Sequence, residues 1–82
     1  MPQLLRVDPY IFYFWSNESE PLEPVQVHIA DGNPTRDATK ILISSTGKTL
    51  LCSNNSRVPA RVLNKLMRLV EANSIEFSQK WF

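Results

Sequence analysis

The segment PARVLNKLMRLVEANSIEFSQKWF, residues 59–82, decides the fold. Its apolar residues Val62, Leu63, Leu66, Met67, Leu69 and Val70, then Phe77 and Trp81, recur three and four apart. That is the period of an α-helix buried along one face. Pro59 suits a first helical turn, where an N–H is not needed, and Asn54, Asn55 and Ser56 ahead of it are capping types. Arg61, Lys65 and Arg68 fall on the opposite face. Asn73 lands on the apolar face and Ile75 off it, before Phe77 and Trp81 return to phase. A kink or local loosening near Asn73-Ser74 would absorb that slip, but the spacing as a whole predicts a single continuous helix ending near Lys80.

An amphipathic helix must cover an apolar surface, and everything upstream reads as short strands. Tyr10-Ile11-Phe12-Tyr13-Phe14-Trp15 is aromatic and β-branched, which suits a pleated surface, and predicts a strand over about 7–16. Pro24-Val25-Gln26-Val27-His28-Ile29 alternates, with Val25, Val27 and Ile29 inward and Gln26 and His28 outward. A third strand is predicted over about 38–44, with Thr39, Ile41 and Ile43 on one face and Lys40 and Leu42 on the other. Ser45-Thr46-Gly47 reads as a hairpin turn into a fourth strand over about 48–52. The expected fold is α+β: about four antiparallel strands covered on one face by a C-terminal helix, ββββα, in a single domain over 1–82. Phe12, Phe14, Val27, Ile41, Leu66, Val70 and Phe77 are expected to share its core.

Composition narrows the class. Hydrophobic residues make up 43% of the 82, an ordinary globular fraction. A single cysteine, Cys52, allows no intramolecular disulfide and points to a reducing compartment. The start carries no signal peptide, and the longest apolar run, Tyr10 to Trp15, is too short to span a bilayer as a helix. A cytoplasmic protein without membrane association is expected. The net charge of +1 is unevenly spread. Residues 1–35 hold Arg6 against five acids, while residues 36–82 hold eight basic residues against three acids. The two halves attract each other within the fold, or an acidic partner is drawn to one side.

No chemistry rises clearly from the residues. His28 and Cys52 are one of each type, without the paired spacing of a zinc site, so no metal and no cofactor is expected. Cys52 reads as a small buried hydrophobe and not as a nucleophile, and no catalytic residue is assigned. Thr46-Gly47-Lys48-Thr49 resembles the tail of a phosphate-binding loop, but Leu42 stands where that loop needs glycine and no helix follows. Arg57, Arg61, Lys65 and Arg68 form a basic stripe able to contact phosphates, or simply a solvated helix face.

The chain also resembles a family of small bacterial proteins known as domain of unknown function 4160. The likeness rests on Met1-Pro2, Leu5-Arg6, the aromatic strand running into Ser16-Asn17-Glu18, the stretch Pro24 to Ile29, and the basic, leucine-rich helix ending in Gln79-Lys80-Trp81-Phe82. It implies a ββββα or related α+β domain whose gene often neighbours that of another small protein, in candidate toxin–antitoxin pairs. The family's histidine-rich motif is broken here: Ser19 and Gln26 occupy two of its three histidine positions, and only His28 remains.

The first strand supplies the expected contact surface. Phe12 and Phe14 lie beneath the helix, so Ile11, Tyr13 and Trp15 form a second apolar face available as interface anchors. Leu4, Leu5 and the chain end folding back would instead make those three ordinary core. Glu18 and Glu20 in the adjoining acidic loop would orient a partner by charge. The expected function is a protein-interaction module, one component of a toxin–antitoxin-like pair, whose partner is the neighbouring gene product or a second copy. The alternative is a nucleic-acid-binding or nuclease-like toxin using Arg57, Arg61, Lys65 and Arg68.

Overall fold

Seven elements follow in chain order: β1 (Gln3–Val7), β2 (Tyr10–Tyr13), β3 (Val25–Asp31), β4 (Thr39–Ile43), β5 (Thr49–Ser53), α1 (Ala60–Ala72) and α2 (Ser74–Trp81). The computed structural model describes residues 3–15 and 25–81. The strands form one antiparallel sheet in the order β1-β2-β3-β4-β5, so every neighbour in sequence is a neighbour in space. The α+β class holds, with one strand more than expected. The extra strand arises because the long first strand divides at Asp8-Pro9, whose peptide is cis, and β1 folds back with Val7 opposite Tyr10.

One face of the sheet carries the main core. Phe12, Phe14, Val27, Ile41, Leu66, Val70 and Phe77 all belong to it, together with Val25, Ile29, Ile43, Val58, Leu63 and Trp81. Alternation along β3 and β4 puts Val25, Val27, Ile29, Thr39, Ile41 and Ile43 under the helices. Trp81 closes one end, its ring edge-on to Phe14 with centroids 5.1 Å apart. Leu4 and Leu5 pack against this same cluster, not on the far face.

The single helix is corrected to two. Asn73 takes φ −104 and ψ 15, and its carboxamide Nδ2 donates to the Leu69 carbonyl at 2.8 Å. A polar side chain on the apolar stripe satisfies itself on the preceding turn, and the helix breaks there. The break re-phases the stripe: Phe77 and Trp81 return to the core, while Ile75 is left 75% exposed.

The helix start is corrected as well. Pro59 is the N-cap, with φ −57 and ψ 143, and no side chain caps α1. Asn54 and Ser56 fasten the loop to the sheet instead. The Asn54 carboxamide accepts from Thr39 Oγ1 at 2.7 Å and from the Val58 N–H at 3.0 Å, and donates to the Val58 carbonyl at 2.9 Å. Ser56 Oγ accepts from the Thr39 N–H at 3.1 Å and donates to the Ile29 carbonyl at 3.1 Å. This network ties the entry of α1 to β3 and β4.

Candidate functional site

The second sheet face differs most from expectation. Ile11 and Tyr13 are buried, in a small cluster with Ala30 and Ala38, and Trp15 is half-buried against it. They are therefore not an exposed aromatic patch. A physical cause is visible at Tyr13, which is 1% exposed. Its hydroxyl donates to the Thr35 carbonyl at 2.6 Å and accepts from the Thr35 N–H at 2.9 Å, so the loop after β3 folds over the ring. His28, expected on a solvated face, is fully buried and stacked on Tyr13 with ring centroids 5.5 Å apart. Glu18 and Glu20 lie outside the described residues, as does Ser19.

Burial pushes the Tyr13 hydroxyl above its ordinary value of 10.0, only partly offset by its hydrogen bonds to Thr35. The fold holds the neutral phenol. Stability from this group is fully present below about pH 10 and is lost as pH rises through the raised folded value. Tyr13→Phe is expected to lower stability at neutral pH by about 1–2 kcal/mol and to reduce the alkaline loss, measured by denaturation between neutral pH and about pH 11.

The opposite edge supplies what the second face does not. β5 ends the sheet, and its Leu50 is 62% exposed and Leu51 44% exposed. Cys52, expected to be buried, is exposed beside them. The Ser44 N–H donates to the Lys48 carbonyl, and Leu42 pairs with Leu50, so alternation turns the backbone groups of Thr49 and Leu51 away from β4. The register shifts opposite Cys52, which leaves Thr49 to Leu51 as the regular stretch of the edge. No charged residue stands in β5, whereas the other edge, β1, carries Arg6 and its own irregularity. Open edges without charge are templates for another strand. The sequence did carry a signal: Leu50-Leu51-Cys52 is an unalternating apolar run in the last strand.

Arg57, Arg61, Lys65 and Arg68 are all exposed. None belongs to an ion pair among the described residues, where Arg6 pairs with Asp8 and Lys80 with Glu76. Arg57 sits at φ 55, a region costly for a side chain of its size. α1 has no acid in its first turn and no base in its last, so its charges do not complement the helix dipole. Among the described residues no three His, Cys, Asp or Glu side chains gather as a metal site, and no helix is long and apolar enough to cross a membrane.

A five-stranded meander backed by two helices, with an open apolar edge and a basic ridge, defines a small α+β domain. The chain belongs to the family described as domain of unknown function (DUF4160), whose model matches residues 10–82. Comparisons with curated proteins and with solved structures found no match.

Proposed function

We propose that this chain is a cytoplasmic protein-interaction module, one component of a toxin–antitoxin-like pair, whose partner adds an extended segment to β5. The exposure of Leu50 and Leu51 on an uncharged edge strand carries this reading. Backbone groups of Thr49 and Leu51 supply the pairing, and the two leucines, on opposite faces of the strand, supply apolar anchors. The occupant is a segment of the neighbouring gene's product; pairing of β5 with a second copy would appear instead as self-association. The test is co-expression with that product and measurement of the complex for wild type and for Leu50→Glu/Leu51→Lys. At least a tenfold loss of affinity is expected from losing two apolar anchors. Unchanged affinity in a folded double variant would place the contact elsewhere.

The basic ridge favours a second reading, nucleic-acid binding through Arg57, Arg61, Lys65 and Arg68. Four exposed cations outside any ion pair among the described residues, one of them in a costly backbone conformation, support it. Four phosphate contacts would give a slope of about −3 to −4 in log affinity against log salt, which an apolar strand interface does not share.

A further inference from the structure

Between the β4–β5 hairpin and the start of α2 lies an open cleft of about 650 Å³. The hairpin side gives Ser44, Ser45, Thr46 and Gly47, and the helix side gives Ser74, Ile75, Ser78 and Gln79. Gly47, at φ +86, lets the turn approach α2 so closely that a Cβ there would lie 3.1 Å from Ser74 Oγ. Ser74 is only 8% exposed and lines the cleft beside that turn. A hydroxyl at the wall of the cleft can both donate to and accept from a molecule held within it. Ser44 Oγ and Thr46 Oγ1 lie 2.9 Å apart, and Ser44 also accepts the Lys48 N–H at 3.2 Å. One hydroxyl hydrogen serves that pair, which leaves the other hydrogen and further lone pairs to spare.

The lining chemistry selects the ligand. Five hydroxyls and a carboxamide converge, and no lining residue is charged, which disfavours an anion or a cation. The dipole of α2 offers an anion little, since α2 follows α1 after the single residue Asn73 and already carries Glu76 in its first turn. No aromatic side chain lines the cleft, so a nucleobase finds nothing to stack on. We propose that this cleft binds an uncharged, hydroxyl-rich small molecule of the sugar or polyol class, with Ser74 as its innermost contact. The site is separate from the β5 edge and does not depend on the interaction reading.

Titration of the isotope-labelled full chain with glucose, N-acetylglucosamine, uridine and inorganic phosphate, followed by amide NMR, tests this. At least one of the two sugars is expected to give saturable shifts at Gly47, Ser74 and Ser78, with millimolar affinity for an open site. Uridine and phosphate are expected to leave those amides unmoved. Ser74→Ala is expected to weaken sugar binding about fivefold to tenfold, the worth of one hydrogen bond, with shifts elsewhere unchanged. Ser78→Ala serves as a second variant should the first perturb the fold, with the same direction of effect. Saturable binding of phosphate or uridine at these amides, or no saturable response to either sugar, would overturn the assignment.

Discussion

Phe12→Ala is expected to lower the stability of this domain by about 3–5 kcal/mol. Phe12 is wholly buried in β2, opposite Leu5 on one side and Ile29 on the other. It stands where the β1–β2 hairpin joins the rest of the sheet, so truncation leaves a cavity bounded by three strands and the helices. A domain of this size has roughly 4–12 kcal/mol in total. The variant should therefore populate the unfolded state measurably in buffer, with a lowered urea midpoint and an unchanged slope. Leu66→Ala on α1 is expected to cost about 2–5 kcal/mol by the same mechanism. A loss under 1 kcal/mol for Phe12→Ala would mean the core is not organised around β2.

Asn54→Ala is expected to cost about 2–4 kcal/mol, a large effect for a half-buried polar residue. Truncation removes three hydrogen bonds at once: it leaves the Thr39 hydroxyl, in a residue with no exposure, with only the bond it accepts from the Ser56 N–H, and it strands both backbone groups of buried Val58. Thr39→Val gives an internal check. It removes two hydrogen bonds, one to Asn54 and one from the Ser56 N–H, and keeps the carboxamide's two bonds to Val58, so it should cost less than Asn54→Ala, which removes three. Equilibrium denaturation of both variants decides it, and equal or reversed losses would show that the network does not hold the entry of α1.

Periodicity carried the fold because each apolar position had one physical demand to meet. Val25, Val27 and Ile29 alternate, Leu63, Leu66 and Val70 repeat helically, and both sets meet in one core. The division at Asp8-Pro9 was less legible, since an aspartate and a proline can start a strand as well as join two. Asn73 signalled a break only through the phase of Phe77 and Trp81. The second face could not be read from β2 alone. Its cover comes in part from Thr35, 22 residues away, through backbone groups that no side-chain pattern encodes. Capping types at Asn54 and Ser56 were legible as polar anchors, but which groups they bind depends on β3 and β4 lying alongside. The β5 edge was legible only as the unalternating run Leu50-Leu51-Cys52, since its exposure follows from being last in the sheet order, which is a property of topology.

Amide hydrogen exchange of the complex with the neighbouring gene's product tests the interaction reading most directly. The amides of Thr49 and Leu51 point away from β4 and should exchange readily in the free chain, then slow by at least about tenfold when a strand pairs with them. Arg61, Lys65 and Arg68 should keep their free-chain rates. Protection along α1 with no change at Thr49 and Leu51 would contradict the account and move the contact to the basic ridge.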